Sequence, residues 1–254
     1  LTGCILIYGT FDFPAWSNPA SPASTHLSPY YIEHAVEDTA VPNIVSAVLA
    51  DYRGFDTMFE TAVIFTAGLA CFFLLRTFEN KRSKDKLYRH KRTGIVVHIK
   101  KGGKEPSNNS NFERIDSQWA PYDLILKTTC RIVIPFIQLF SLYVIAHGHH
   151  SPGGGFQGGV ILGASIILFA ISHDLRSSLA RISEKQGALL SILGVFLYAG
   201  TGMLCLLLGS SFLDYSMLAG LLGTDKIMAR SHGILVVEIG VGLAVMAGLV
   251  WLYC

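Results

Sequence analysis

Two glutamates are the most unusual residues of the 254-residue chain, because each interrupts a long apolar stretch. Glu60 and Glu238 each lie about two helical turns or less inside such a stretch. Placing an ionised carboxylate at membrane depth costs on the order of 2.5 to 3.5 kcal/mol, so such residues usually face a bundle interior or a water path. Both are candidate stations, meaning residues at which a cation or a proton binds on its way through the membrane. The alternative is a neutralised or snorkelling acid that only hydrogen-bonds to a neighbouring helix.

A second charged group, Asp51-Tyr-Arg-Gly-Phe-Asp56, comes just before the stretch that holds Glu60. It places two acids and Arg53 at a membrane boundary. Asp51 and Asp56 are therefore candidates for a site where ions enter a pathway. An ordinary salt-bridged turn explains the same residues equally well.

Three histidines form an H-x-H-H cluster between two apolar stretches: His147, His149 and His150. Such a cluster could hold a metal or relay protons, and interfacial polar residues are the plain alternative. No carboxylate or cysteine lies near in sequence to complete a metal site. The five cysteines are far apart and form no CxxC pair, so neither a zinc ribbon nor an iron–sulfur cluster is supported. We therefore predict no metal and no cofactor.

The segment Gly153-Gly-Gly-Phe-Gln-Gly158 formally matches the dinucleotide-binding pattern GxGxxG. That fingerprint needs a preceding strand within a soluble βαβ unit, whereas apolar helical stretches flank it here. We predict a tight extracytoplasmic turn instead, in which backbones approach closely and Pro152 ends the previous segment. Its structural residues are Pro152, Gly153, Gly154, Gly155, Phe156, Gly158 and Gly159.

The elements that must position these residues are membrane-spanning helices. The chain is 51% hydrophobic and only 15% charged, against roughly a quarter charged residues in soluble domains. A transmembrane helix needs about 20 mostly apolar residues. We predict an all-α integral membrane fold with five spans, at 57–75, 128–146, 156–172, 186–213 and 231–254, plus part of another at 1–8.

The region between residues 8 and 57 contains two different segments. Pro14, Pro19, Pro22 and Pro29 predict an irregular loop outside the bilayer, too broken by proline to be helical. Residues 42–52 predict a short amphipathic helix, fit to lie at an interface or against other helices. Its apolar side carries Ile44, Val45, Val48, Leu49 and Tyr52, and its other side carries Asn43, Ser46, Ala47, Ala50 and Asp51.

A basic, polar segment divides the chain into units of residues 1–78 and 119–254, joined by a linker at 79–118. Residues 76–104 hold 11 of the 20 lysines and arginines. The positive-inside rule places this linker in the cytoplasm, and five alternating spans then leave only Arg53, Lys226 and Arg230 outside. Nucleic-acid binding is the rival explanation, but no aromatic platform or binding motif accompanies the basic run.

The last predicted span has reasons to be covered by protein on two faces. Gly240, Ala244 and Gly248 form a stripe of small residues that permits close helix packing. Glu238 points roughly 200° away around the helix, at about 100° per residue. Two covered faces predict a multisubunit setting.

Two parts of the chain resemble components of Mrp-type Na⁺/H⁺ antiporters. Pro42-Asn43, through Asp51-Tyr-Arg-Gly-Phe-Asp-Thr57 to Glu60, resembles the C-terminal tail of the large A subunit, whose relatives are small subunits of membrane-bound energy-converting hydrogenases. The second unit looks like the four-helix B subunit. The residues that carry this second resemblance are Pro135-Phe-Ile-Gln138, Gly148-His149, Pro152-Gly-Gly-Gly-Phe156, Gly158-Gly159 and the Gly233 to Gly242 helix bearing Glu238.

This chain departs from the family pattern in two respects. Met58-Phe59 stands where the family tail often has Leu-Gly, and the two units are fused here, whereas antiporters usually encode the B subunit separately. The fusion favours a hydrogenase-like or other respiratory host.

The resemblance implies a multi-pass subunit of a Na⁺/proton antiporter module in the inner membrane. Its implied partners are large antiporter-like subunits, other small membrane subunits and, in a respiratory host, redox subunits. The chain itself has no cofactor motif. We expect it to help line a cation path, with Na⁺ favoured, and the alternative is a passive scaffold that seals and positions its neighbours.

Overall fold

The structure, a computed structural model, describes residues 2–79, 86–99, 103, 111–115, 124–151, 153–173, 178 and 182–253. Most of the described residues form helices. In chain order these are α1 (Thr2–Gly9), α2 (Ser28–Thr39), α3 (Ile44–Ala47), α4 (Gly54–Glu79), α5 (Leu124–Ala146), α6 (Gly155–His173), α7 (Glu184–Leu207), α8 (Ala219–Leu222) and α9 (Lys226–Tyr253).

Five of these helices are long and apolar enough to cross a membrane, which confirms the predicted span count. They are Gly54–Leu74, Ile125–Ala146, Gly155–His173, Lys185–Leu207 and Lys226–Tyr253. The fourth ends earlier than predicted, because the chain turns at Gly209, whose φ of 91° suits a residue without a side chain. Leu213 and Tyr215 lie after that turn and are buried in the core.

Helix α9 is the central element, and α4, α6 and α7 pack around it. It can be central because small residues let neighbouring backbones approach it closely. A Cβ atom built on Gly194 of α7 would stand 2.5 Å from the carbonyl oxygen of Gly240. The predicted stripe therefore packs within this chain: Gly240 and Ala244 contact α7, and Gly248 contacts Ile64 of α4.

The contacts also define the direction of the helices. Asp51, just before α4, pairs with Arg230 near the start of α9, and Phe72 late in α4 stacks on Trp251 late in α9. Helices α4 and α9 are thus parallel. Tyr198, in the second half of α7, donates a hydrogen bond to the Gly54 carbonyl at the start of α4, so α7 is antiparallel to both.

The prediction that prolines keep the first segment from being helical is wrong for residues 23–39. A π-helical turn, Ala23–Leu27, leads directly into α2. Proline lacks the backbone N–H and its ring clashes with the carbonyl four residues earlier. Pro29 lies at the start of α2, where a missing N–H costs little, and the wide turn before it relaxes the clash.

The amphipathic helix is present as α3 and a following π-helical turn, Val48–Tyr52. Its small and polar side is the buried one: Ser46 is 4% exposed, and Ala47 and Ala50 are buried beside it. Val45 and Leu49 on the apolar side are 54% and 40% exposed. The small side chains bring the helix backbone close to the second unit, while the apolar side faces outward.

A three-stranded antiparallel sheet stands within the stretch that we predicted to be a solvated linker. Its strands are β1 (Lys86–His90), β2 (Val96–Ile99) and β3 (Phe112–Ile115), in the order β2-β1-β3. Leu87 pairs with His98 on one side and with Ile115 on the other. The rest of the predicted linker lies largely outside the described residues, and the boundaries at 79 and 118 remain predictions.

Candidate functional site

Glu238 is a buried acid at the junction of the two units. Its side chain is on α9, and the residue is only 7% exposed. The hydroxyl of Ser46, on α3 of the first unit, donates to Oε1 at 2.9 Å. The second carboxylate oxygen, Oε2, is buried and has no hydrogen-bond partner among the described residues. An unpaired buried carboxylate oxygen is costly, and it calls for an explanation such as a catalytic role or a bound water or ion.

Glycines of the α5–α6 turn, residues 147–154, surround this carboxylate. A Cβ atom built on Gly148 would stand 2.6 Å from Oε2, and one built on Gly154 would stand 2.5 Å from Oε1. At Gly155, the first residue of α6, a Cβ atom would overlap the Glu238 backbone carbonyl. Only glycine allows the turn to approach the acid this closely. The glycine-rich segment therefore packs directly against Glu238.

Asn43 fixes the first unit onto the same turn. Its side-chain amide donates to the carbonyl oxygens of Gly148 and Ser151, both at 2.7 Å. Its own oxygen accepts the Val45 N–H at 3.1 Å, which settles the orientation of the amide. Because Asn43 also caps α3, one residue both begins the helix that carries Ser46 and attaches that helix to the second unit.

A cavity of about 50 Å³ opens beside Ser46 and Glu238. One water molecule needs on the order of 10 to 15 Å³ measured in this way, so the cavity has room for roughly three to five. Its lining mixes apolar side chains with a few polar groups. Besides the two site residues these include Val45, Leu49, Thr57, Phe156, Gln157 and Tyr198. Water held there would lie beside Ser46 and the carboxylate, between residues of both units.

The two acids of the boundary turn lie in different surroundings. Asp51 forms a two-point ion pair with Arg230 of α9, with Nε–Oδ2 and Nη2–Oδ1 distances of 2.8 and 2.7 Å. Asp56 pairs with Arg53 on the exposed surface. Asp51 therefore joins the two units at the end of the bundle that contains Glu238, whereas Asp56 belongs to a local salt-bridged turn.

Glu60 does not join the buried site. It lies on α4 with its side chain exposed, two turns after the helix begins. No described residue hydrogen-bonds to it. Its position as a candidate ion station stays a prediction.

The histidines that are adjacent in sequence make different contacts in the structure. His149 is half-buried, and its Nε2 lies 3.1 Å from the Ser231 carbonyl of α9. Burial lowers the pKa of His149 below its ordinary value of 6.5, so the ring is neutral at neutral pH and Nε2–H donates to that carbonyl. His147 stacks on Tyr143 instead. His149 thus contacts α9 about two helical turns before Glu238.

No metal site appears among the described residues, where no group of three histidine, cysteine or acidic side chains comes together. Pro152, predicted to end the segment before the turn, lies outside the described residues. Phe156 and the glycines at 153–155 line the cavity, and Gly158 and Gly159 pack against α5 and α9.

Four residues at the site were not singled out from the sequence as site residues: Asn43, Ser46, Gly148 and Tyr198. Ser46 lies 192 positions from Glu238, so no local pattern joins them. A signal existed in the amphipathic helix, whose small polar side is suited to close packing. Gly148 was part of the family resemblance, but nothing in the sequence connects it to an acid.

Family models match both units. The model described as "Domain related to MnhB subunit of Na+/H+ antiporter" matches residues 125–251, which are half of the chain. The MbhE model, which describes a subunit of MBH, matches residues 6–92. The Na(+)/H(+) antiporter B subunit of Alkalihalophilus pseudofirmus is 31% identical over 130 residues, 49% of this chain and 90% of that protein. These matches confirm the resemblance inferred from the motifs.

Two solved structures share the fold. In the membrane-bound sulfane sulfur reductase, an archaeal respiratory membrane complex, one chain matches with a TM-score of 0.58 and 21% identity, covering 98% of this chain and 92% of that one. In the Mrp complex from Dietzia sp. DQ12-45-1b the TM-score is 0.57 with 24% identity, covering 97% of this chain but only 24% of that one. In each of these two complexes, a single chain thus carries the fold of both units.

The family match over half of the chain, the antiporter relative and the five apolar helices lead to one conclusion. This chain belongs to the MnhB-related family of antiporter subunits, and it is a multi-pass membrane subunit of a multisubunit antiporter-like module.

Proposed function

We propose that this chain forms part of an ion pathway in a module that exchanges Na⁺ and protons, and that Glu238 is its station. The observation that supports this most is the Glu238 carboxylate, 7% exposed, with one oxygen bound by Ser46 and the other without a partner among the described residues. If Glu238 had a purely structural role, both of its carboxylate oxygens would be expected to have hydrogen-bond partners, because each unpaired polar atom in a core weakens the fold.

The surroundings of the acid support the same proposal. The carboxylate is next to a cavity with room for water, and it lies where α3 of the first unit meets α9 and the α5–α6 turn of the second. A group placed at a junction can be exposed to one side and then the other by small movements of either unit. In the proposed setting the chain lies in the inner membrane, with large antiporter-like subunits and other small membrane subunits as partners.

The substitution Glu238→Gln tests the pathway against the scaffold. Glutamine keeps the size and hydrogen-bonding capacity of the side chain but cannot carry a charge or release a proton. We expect the variant complex to assemble normally on native gels and its ion-coupled transport in proteoliposomes to fall by about tenfold or more. Full transport by an assembled Glu238→Gln complex would establish the scaffold function instead.

Glu60→Gln is the matched comparison, because Glu60 is also an acid on an apolar helix but has its side chain exposed. We expect a smaller loss of transport than for Glu238→Gln. An equal or larger loss would move the station from the junction of the units to the outer surface of α4.

A further inference from the structure

We propose that the species bound at Glu238 is a proton and not a metal cation, and that the Ser46 hydroxyl of the first unit delivers it. This inference rests on the proposed function and names the ion for that site. It is carried by the hydrogen-bond arrangement around the two side chains.

The oxygen atoms around Ser46 can satisfy Oε1 of Glu238 in both of its protonation states without moving. The Ser46 hydroxyl lies 2.9 Å from Glu238 Oε1 and 2.9 Å from the Gly148 carbonyl oxygen, but it has only one hydrogen to donate. When the acid is ionised, that hydrogen points to Oε1. When Oε1 carries a proton, the carboxyl group donates to the Ser46 oxygen and Ser46 donates to the Gly148 carbonyl. Rotation of one hydroxyl exchanges the two arrangements.

The same surroundings are unfavourable for a metal cation. Na⁺ would need several oxygen ligands, and the nearest candidates are the oxygens of Ser46 and Gly148. The Asn43 amide donates to the Gly148 carbonyl at 2.7 Å and its nitrogen lies 3.1 Å from the Ser46 oxygen, so its positively polarised N–H groups lie beside both candidate ligands. Positively polarised hydrogens repel a cation, whereas they leave a neutral carboxyl group undisturbed.

On the side of the carboxylate that faces Gly148 and Gly154, the glycine walls leave little room for a cation and its ligands. A single added Cβ atom on Gly148 or Gly154 would already stand within 2.6 Å of a carboxylate oxygen. A cation with its ligands is much larger than that, while a proton adds no heavy atom. Oε2, which faces Gly148, is enclosed, and the 50 Å³ cavity is lined by both Ser46 and Glu238.

No charged side chain among the described residues pairs with the Glu238 carboxylate. The titratable groups of the neighbouring elements have other partners or are exposed. Arg230 of α9 pairs with Asp51 of the first unit, Tyr198 of α7 donates to Gly54, and His149 of the α5–α6 turn contacts the Ser231 carbonyl. Tyr215, which follows α7, donates to the Ala50 carbonyl, His147 stacks on Tyr143, and Asp56 and Glu60 of α4 are exposed. Without a counter-charge, a proton is the species that neutralises this acid.

The transfer step is balanced. A hydronium ion in the cavity gives a proton to the Ser46 oxygen while Ser46 passes its own hydrogen to Glu238 Oε1. The products are water, an unchanged serine and a neutral carboxyl group. The reverse sequence releases the proton, and no oxidant, reductant or other reactant is involved.

The experiment compares Ser46→Ala with Ser46→Thr in the assembled complex in proteoliposomes. Proton movement is followed across a pH series, and the KM for Na⁺ is measured separately. Alanine removes the relay and the only donor that the described residues offer to the carboxylate, so transport should slow by about tenfold or more and the midpoint of the pH profile should move to higher pH. The KM for Na⁺ should not change. Threonine keeps the hydroxyl, so it should restore both the rate and the profile.

Ser165→Ala is the matched control. Ser165 is 1% exposed and donates to the Leu162 carbonyl within α6, away from Glu238. Its loss tests the effect of removing any buried hydroxyl. A Ser46→Ala variant that behaves like Ser165→Ala would overturn the relay. A several-fold rise in the KM for Na⁺ with an unchanged pH profile would show that Ser46 is a cation ligand instead.

Infrared difference spectroscopy gives a reading that does not depend on transport. In the assembled complex, a carboxyl C=O band that is absent from Glu238→Gln should appear on acidification and remain when Na⁺ is added at constant pH. Disappearance of that band with Na⁺ would overturn the assignment of the proton. These outcomes are distinct from failure of the proposed function, in which Glu238→Gln itself keeps full transport.

Discussion

At the scale of single residues, His149 connects the glycine-rich turn to the central helix and to the first unit by two bonds. Its Nε2 lies 3.1 Å from the Ser231 carbonyl, and its own carbonyl accepts the Asn43 backbone N–H at 2.9 Å. The ring therefore lies where the turn, α9 and the first unit meet. A change in its charge would affect all three.

The pKa of His149 makes the attachment of this turn sensitive to acid. Burial lowers the pKa below the ordinary value of 6.5, so the unfolded chain binds a proton more readily than the folded one. The stabilising contribution is complete above about pH 6.5 and is lost as the pH falls towards the lowered pKa, by at most about 1.4 kcal/mol per pH unit. We expect the melting temperature of the complex to decrease between pH 7.5 and pH 5.

His149→Gln should remove part of that decrease, because glutamine keeps an N–H donor and cannot be protonated. The control is His26→Gln, since His26 is exposed. An acid-induced decrease that is identical in the His149 variant would contradict the assignment of this sensitivity to His149.

The burial of Glu238 inside the bundle could be predicted from the sequence, whereas its contact with Ser46 could not. An acid in a 28-residue apolar helix is conspicuous by itself, because the cost of burying its charge has to be compensated. A serine on a short helix is commonplace. Its importance depends on a contact across 192 positions, which arises only when α3 docks on the second unit. The local sequence pattern shows which side chain is costly to bury. Only the tertiary fold shows which other side chain offsets that cost with a hydrogen bond.

At the scale of elements, close backbone contacts determine where α6 and α9 meet. A Cβ atom on Gly155 would overlap the Glu238 carbonyl, and one on Gly159 would stand 2.6 Å from the Gly242 carbonyl. Both obstacles are backbone atoms, which cannot rotate away as the end of a side chain can. Glycine at these positions therefore determines the spacing between α6 and the helix that carries the acid.

Gly155→Ala should separate α6 from α9. We expect a loss of about 2 kcal/mol or more in the stability of the complex, with loss of assembly preceding any effect on the pH profile of transport. Detergent-resistant assembly on native gels and the melting temperature measure this. Gly187→Ala on α7 is the control, because a Cβ atom there has nothing within 4 Å. It should be neutral or slightly stabilising, since alanine is the better helix former.

The long apolar helices could be predicted because length and composition alone determine a membrane span. The helical segment at 23–39 was missed for a different reason. Proline is usually counted as a helix breaker, but the penalty depends on its position in the helix and on the width of the preceding turn. Pro22 precedes the π-helical turn Ala23–Leu27, and Pro29 begins the next helix. Neither arrangement can be read from proline content.

At the scale of the whole molecule, the five spans alternate in direction, and this gives the bundle two distinct ends. The start of α4, the α5–α6 turn and the start of α9 are joined at one end by Asn43 and by the Asp51–Arg230 ion pair. The sheet of β1 to β3 follows the other end of α4 in sequence. The charge distribution predicts that the sheet end is cytoplasmic, because 11 of the 20 basic residues lie between 76 and 104.

Cysteine labelling from each side of the membrane tests this topology. Thr93, between β1 and β2, and Thr224, between α8 and α9, are both exposed, so a cysteine at either position is open to a membrane-impermeant thiol reagent. In sealed right-side-out vesicles we expect Thr224→Cys to react and Thr93→Cys to be protected, and the pattern should reverse in inverted vesicles. The parent chain, whose Cys4 is exposed, gives the background that has to be subtracted.

Labelling of both positions from the same side would mean that the number of membrane crossings between them is even, and it would remove one of the five helices from the bilayer. Labelling in the opposite sense would keep the five spans but place the basic segment outside, which would show that partner subunits override the orientation that this chain's own charges favour.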